Sequence, residues 1–382
     1  MDFDLTEDQR LLKDSVDRLI AQQYGFEQRK KYIREPAGYS VAMWDQIAEL
    51  GLLGLPFEET LGGFGGGAME TAIVMEAFGR GLVLEPFFAT VILGGGLLRR
   101  AAPASVLGAL APRVAAGKLK LAFGHVERHS RYDLSDVSTT ARRDGSGYVL
   151  DGAKSVVIHG DAADRIFVTA RIGGERRARD GIGLFLLDPA TPGVSRRGYP
   201  TQDGQRAAEL TLTGVRVTAD DVLHDNALPL IEHVVDEAIA ALCAEAVGAM
   251  QAMHELTLEY LKTRKQFGRP IGSFQALQHR SVDMLVALEQ ARSMAMFAAV
   301  MAEEENPIER RRAIAAAKVQ IGRSAHHIGQ EAIQLHGGIG VTTEYAVGHY
   351  FKRTTMIEQL FGDADTHLAY LARHGGLFGR AA

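Results

Sequence analysis

Lys118-Leu119-Lys120-Leu121-Ala122-Phe123 marks the point where the hydrophobic pattern of the chain changes. Leu119, Leu121 and Phe123 recur at every second residue, the period of a half-buried strand. Short apolar runs follow at 147–149, 155–158, 166–169, 182–187 and 208–215. Asp144-Gly145 and Asp151-Gly152 punctuate them in the manner of hairpin turns. Strands this short, with no helical runs between them, predict an antiparallel barrel or sandwich over residues 118–228.

On either side the period returns to that of a helix. Upstream, Thr6-Glu7-Asp8-Gln9 reads as a capping box, in which the Thr6 hydroxyl accepts an orphan N–H and Gln9 reaches back. Leu11, Leu12, Val16 and Leu19 follow at helical spacing. Further helices are expected around 41–50, 68–78 and 106–116, so residues 1–117 form an N-terminal helical domain. The glycines of 62–67 have no strand before them, which speaks for a loop rather than a dinucleotide fingerprint. Downstream, Asn306-Pro307-Ile308-Glu309 is a strong helix start, with Asn at the cap and Pro at the first helical position. Ile314, Ala317, Ile321, Ala325, Ile328, Ala332 and Leu335 then step by three and four along one face, until Gly337 ends the helix. Met284, Leu288, Ala291, Ala295, Ala298 and Ala302 repeat the pattern. Small residues on such faces permit close helix approach, so 229–382 reads as a four-helix bundle. The fold class expected is α+β, mainly α.

Composition narrows the function. The 382 residues are 46% hydrophobic and 23% charged, with a net charge of −5 and one cysteine. Those fractions belong to a folded globule, and the length exceeds what one core usually serves. No dense Lys/Arg run offers itself to nucleic acid. The opening Met1-Asp2-Phe3-Asp4 is acidic and lacks the apolar core of a secretory signal. No apolar run reaches a membrane span, the longest, from Ala89, being stopped by Arg99-Arg100. Cys243 alone makes no intramolecular disulfide and no cysteine-based zinc site. His326 and His327 are neighbours pointing to different helix faces, so no metal site is expected. A cytoplasmic protein without nucleic-acid or membrane partners follows.

Two segments carry chemistry. Arg264-Lys265-Gln266-Phe267-Gly268-Arg269-Pro270-Ile271-Gly272-Ser273-Phe274-Gln275 joins two helices, and its guanidinium and aromatic groups suit a pyrophosphate and a ring system. An ordinary helix end with cations on its dipole explains the same residues. Gln334-Leu335-His336-Gly337-Gly338-Ile339-Gly340-Val341-Thr342-Thr343-Glu344-Tyr345 ends a helix of about 30 residues on glycines whose backbone donors suit a phosphate.

Together, in a helix–β–helix chain, these motifs resemble the acyl-CoA dehydrogenase family over essentially the whole length. Gly51-Leu52-Leu53-Gly54 and Asp151-Gly152-Ala153-Lys154 add to the likeness. The resemblance implies FAD as cofactor, oxidation of the Cα–Cβ bond of an acyl-CoA thioester, and electron-transfer flavoprotein as the acceptor. It implies that Arg264 and Gln266 hold the FAD pyrophosphate and that Phe267 packs near the adenine end. Phe274, Gln275, Gln334, Leu335, His336, Gly337 and Gly338 would complete the ADP site, some of them across a subunit interface.

The departures from the family pattern concern the reaction itself. Val126-Glu127-Arg128-His129-Ser130 and Val156-Val157-Ile158 stand where hydroxyl-bearing residues usually touch the isoalloxazine. The chemistry removes a weakly acidic α-proton, so a carboxylate must lie within reach of Cα. A gapless count from Gln334 places Phe361 at the usual glutamate position. The alternative position, on the helix leading to Arg264, falls on Ala238 with Glu237 beside it. Several readings stay open. Asp363 or Asp365 serves as a displaced base in a homomer, Glu237 swings in, or the chain is a lapsed homomer. Otherwise it is one subunit of a heteromer, such as a heterotetramer, whose partner supplies the base. That last pattern resembles the small subunit of pimeloyl-CoA-type dehydrogenases and subunits of two-gene steroid-CoA dehydrogenases. A flavin-free structural subunit is the remaining alternative.

Overall fold

Thr6 opens the first helix through the reciprocal pair expected of it. Gln9 N donates to Thr6 Oγ1 at 3.2 Å and Thr6 N donates to Gln9 Oε1 at 3.0 Å. The computed structural model describes residues 5–376, so Met1-Asp2-Phe3-Asp4 lies outside the described residues. Helices α1 (Glu7–Gln23), α2 (Phe26–Tyr32), α3 (Val41–Glu49) and α4 (Ala68–Gly81) come first. A wide helical turn over Phe88–Gly94 then runs into α5 (Gly95–Ala101), followed by α6 (Ala104–Ala115). After the strands come α7 (Leu228–Thr263), α8 (Gln275–Met301), α9 (Pro307–His336), α10 (Val347–Gln359) and α11 (Ala364–Arg373). Asn306 caps α9 as expected, accepting from Ile308 N at 3.0 Å.

The chain packs as two compact units. One combines Met1–Lys31, Ala68–Val83 and Ile239–Ala382, and the other combines Tyr32–Gly67 with Leu84–Ala238. The apolar stretch from Phe88 is buried and ties itself to the sheet, Leu121 N donating to Thr90 Oγ1 at 3.2 Å.

The sheet runs in the order β6-β7-β3-β2-β4-β5-β8, with β1 beside β4. Its strands are β1 (Leu121–Gly124), β2 (Thr140–Asp144), β3 (Gly147–Ile158), β4 (Arg165–Arg171), β5 (Ile182–Leu187), β6 (Val194–Pro200), β7 (Arg206–Val217) and β8 (Val222–His224). Most pairings are antiparallel as expected, while β1 and β2 each pair with β4 in parallel. Asp144-Gly145 makes the expected hairpin, since Asp144 faces Gly147 across the turn. Asp151-Gly152 makes none. It sits inside β3 at a bulge, where a Cβ on Gly152 would meet Thr139 Oγ1 at 2.5 Å. Glycine there answers a close backbone approach, not a reversal of the chain.

In the other unit, α4 and α7 cross closely. A Cβ on Gly79 would lie 1.9 Å from the Glu245 carbonyl oxygen, and one on Gly248 1.9 Å from that of Glu76. The buried guanidinium of Arg353 on α10 then clasps Glu245, at 2.6 and 2.8 Å. α8 lies along α9, burying Met284, Leu288, Ala291, Ala295 and Ala298. By length and composition it is the one described helix long and apolar enough to cross a membrane, although no run of that length stood out in the sequence.

The sheet unit is pinned by a buried ion pair. Lys154 Nζ donates to Glu127 Oε1 at 2.6 Å and to Thr169 Oγ1 at 3.0 Å. Glu127 also accepts from Thr139 N at 3.0 Å, Thr139 Oγ1 at 2.7 Å and Ser138 N at 2.9 Å. Burial opposes the charge on Glu127, but Lys154 and these donors outweigh it and hold the carboxyl low. Glu127→Gln strands the Lys154 ammonium, and breaking such a pair costs about 3–5 kcal/mol. The expected result in urea unfolding is a loss in that range; a loss below about 1 kcal/mol would show the network to be dispensable.

Candidate functional site

The two chemistry-bearing segments meet through an aromatic contact. Arg264 N donates to Tyr260 O at 2.9 Å as α7 ends. The Tyr260 ring lies against His336 at the end of α9, with centroids 4.5 Å apart, and Tyr345 covers His336 from 5.0 Å. His336 Nδ1 donates to Ala332 O at 2.7 Å, and burial keeps the imidazole neutral by lowering its pKa. The ends of α7 and α9 therefore sit side by side, with Arg264 and Gly337 leaving from the same contact.

Beyond Arg264 the chain makes a tight hairpin, Gln266 pairing with Arg269. Its two turn residues, Phe267 and Gly268, have φ of +53° and +79°. A phenylalanine in that region carries strain of order 1 kcal/mol. Its ring is nonetheless 90% exposed. Phe274 stands edge-on to it at 6.0 Å, with the Arg269 guanidinium 4.1 Å above the Phe274 ring. Gln275 opens α8, exposed. Gln334, Gly337 and Gly338 are also exposed, and a Cβ on either glycine would meet nothing within 4 Å. The side chains of Leu335 and His336 are buried, which leaves only their backbone for the ligand contact the sequence reading expects of this loop. Tyr260 is absent from the sequence reading, and Tyr345 entered it only as the end of the second segment, because ring contacts between distant segments leave no local pattern.

Phe361, where the sequence count places the usual base, lies between α10 and α11. It has φ of +58°, and Gly362 follows at +112°. Asp363 is the N-cap of α11, its carboxylate accepting from Thr366 N at 2.8 Å. Hydrogen bonding from the Thr366 side chain first, and from its backbone N–H, holds the carboxyl below the usual aspartate range, which suits a cap and not a proton acceptor. Asp365 is exposed in the first turn of α11. Glu237 is taken as well, pairing with Arg100 and standing 3.7 Å from Arg99. Ala238 beside it is fully buried. In the sheet unit, Ser155 N donates to Val126 O at 2.8 Å, so the two stretches that depart from the family pattern are neighbours. Val156 is half-exposed with φ of +51°.

Domain models for the acyl-CoA dehydrogenase N-terminal, middle and C-terminal domains match residues 6–118, 122–215 and 229–376. The chain belongs to the acyl-CoA dehydrogenase family. It is 31% identical over 357 residues to the acyl-CoA dehydrogenase IpdE2 of Mycobacterium tuberculosis, covering 93% of each chain. Its fold is similar to the ChsE4–ChsE5 complex of the same organism, with a TM-score of 0.89, 25% identity and full coverage of both chains. It also resembles PigA, solved as an FAD complex, with a TM-score of 0.90 and 26% identity over 99% of this chain and all of that one.

The residues present fit the FAD that this acyl-CoA dehydrogenase fold implies. An exposed guanidinium, an uncovered aromatic face and two glycines with free space beside them are what a pyrophosphate and an adenine require. The cap at Asp363 yields a stability test. Asp363→Ala is expected to lower stability by about 1 kcal/mol at neutral pH, whereas Asp363→Asn, itself a good cap, leaves it nearly unchanged. Because the carboxyl is held low in the folded state, the deficit of the alanine variant should shrink as pH falls below the ordinary carboxylate range. Equal thermal midpoints for wild type and Asp363→Ala at pH 7 would contradict the capping role.

Proposed function

We propose that this chain is the FAD-binding, base-lacking subunit of a heteromeric acyl-CoA dehydrogenase. The observation that carries the reading is Phe361, an uncharged residue at the position where the α-proton acceptor is needed, with Asp363 and Glu237 both otherwise engaged. Bound FAD supplies the hydride acceptor for Cβ, and electrons leave to an electron-transfer flavoprotein.

On this reading Arg264 and Gln266 hold the pyrophosphate, Phe267 and Phe274 lie against the adenine end, and Gln275, Gln334 and the backbone of 335–338 complete the cradle. The backbone of Phe361 orients the thioester carbonyl, which binds and polarises acyl-CoA without removing a proton. The exposed ring of Phe267 and the exposed Val282, Leu285 and Val286 on α8 supply an apolar face for a second subunit. The likeness to the ChsE4–ChsE5 complex supports a partner that is itself an acyl-CoA dehydrogenase chain.

The test compares the purified chain alone with the chain plus a glutamate-bearing dehydrogenase subunit that co-purifies with it. Alone, it should bind flavin and acyl-CoA but turn over about 10²–10⁴-fold more slowly than the pair, the usual cost of a missing general base. Asp363→Asn should change neither result. Full turnover by the isolated chain, abolished in Asp363→Asn, would make Asp363 the base and the enzyme homomeric. A chain that never takes up flavin would instead be a structural subunit.

A further inference from the structure

We propose that Lys318 and His367 are positioning residues that hold the Phe361 turn from behind for acyl-CoA binding. This rests on the reading above, in which the Phe361 backbone orients the thioester.

Lys318 lies on α9 with its side chain wholly buried. Its ammonium donates to the carbonyls of Ile357 and, at 3.0 Å, Leu360, the end of α10. A helix end leaves its last carbonyls without partners, and a cation there also meets the negative end of the dipole. Lys318 therefore acts as a C-terminal cap supplied by a different helix. One residue on, the Phe361 carbonyl accepts from His367 Nε2 on α11 at 3.1 Å. His367 is buried, and burial with Lys318 nearby pushes its pKa down to about 3, so it stays neutral with the proton on Nε2. Asp363 then fixes the start of α11. The carbonyls of residues 357, 360 and 361 and the cap at 363 are thus all occupied. They lock a turn whose residue 361 takes a φ unusual for phenylalanine. A side chain that only filled space here would be apolar. A buried ammonium costs desolvation and is retained where its hydrogen bonds set a backbone conformation.

The surroundings make the effect readable through pH. Burial lowers Lys318 to about 8, against the pull of Glu358 and Asp363 and with the push of Arg353. Cys243 is pushed up to about 12 by its own burial, so its thiol stays protonated. Burial raises Glu358, while hydrogen bonds from Thr366 hold Asp363 low. Among these groups Lys318 is the one that changes charge just above neutrality. Below about pH 8 it is an ammonium, and above that value it becomes an amine whose hydrogen bonds are roughly half as strong.

The experiment is isothermal calorimetry of acyl-CoA binding to the flavin-loaded chain, at pH 7 and pH 9. The probes are octanoyl-CoA, pimeloyl-CoA and a steroid-ring acyl-CoA, and the variants are Lys318→Met, Lys318→Arg and His367→Gln. Flavin content and thermal midpoint are recorded for each. The wild type should lose several-fold in affinity between pH 7 and pH 9. Lys318→Arg, charged at both, should keep its affinity across that range. Lys318→Met should bind roughly tenfold or more weakly at either pH with its flavin retained, and His367→Gln should weaken binding without changing the pH dependence. If Lys318→Met does not fold, His367→Gln, which removes the hydrogen bond to the Phe361 carbonyl, decides in its place. Lys318→Met, or failing that His367→Gln, binding within twofold of wild type overturns the inference. A wild type that binds none of the three probes overturns the acyl-CoA reading itself.

Discussion

The turn from Leu360 to Asp363 is the constraint on which the proposed reaction centre depends. A left-handed phenylalanine costs on the order of 1–2 kcal/mol, and such strain persists where surrounding contacts over-determine it. Here three helices contribute: Lys318 from α9 caps α10, His367 from α11 grips the Phe361 carbonyl, and Asp363 starts α11. On the proposed reading, the turn supplies the backbone of an acyl-CoA dehydrogenase centre while Phe361 supplies no carboxylate. Substrate orientation and proton abstraction are separable functions of one residue, because the first belongs to the peptide and the second to the side chain.

The loops proposed to hold the ADP half of FAD rest on a different physical basis. Tyr260 and Tyr345, both half-buried, enclose the buried His336 ring in an aromatic cluster that brings the last turn of α7 to the last turn of α9. Everything beyond those turns is polar, glycine-rich or exposed. A rigid cluster behind an open rim is a sound way to present loops to a large, charged ligand.

Local signals carried most of the fold into the sequence. Thr6 and Asn306 announced their helices because a cap is a contact between near neighbours. The Asp144-Gly145 hairpin was legible for the same reason, and Asp151-Gly152 misled because a bulge and a turn ask for the same residues. β6 escaped notice since Ser195, Arg196 and Arg197 are all exposed, leaving no alternation. Within the site, the exposed motif residues were legible and their buried supports were not. Lys318 is the instructive case. It falls four residues after Ile314 and three before Ile321, on the apolar stripe of α9, so a lysine on a buried face was the available signal.

The central claim is that Phe361 occupies the place of the missing base. Phe361→Glu in the isolated, flavin-loaded chain tests it most directly, with acyl-CoA turnover followed by dye reduction. The account predicts that turnover rises by about 10² or more over the wild-type chain while flavin content holds. A Phe361→Glu protein that folds, keeps its flavin, binds acyl-CoA and is no faster than wild type would contradict it.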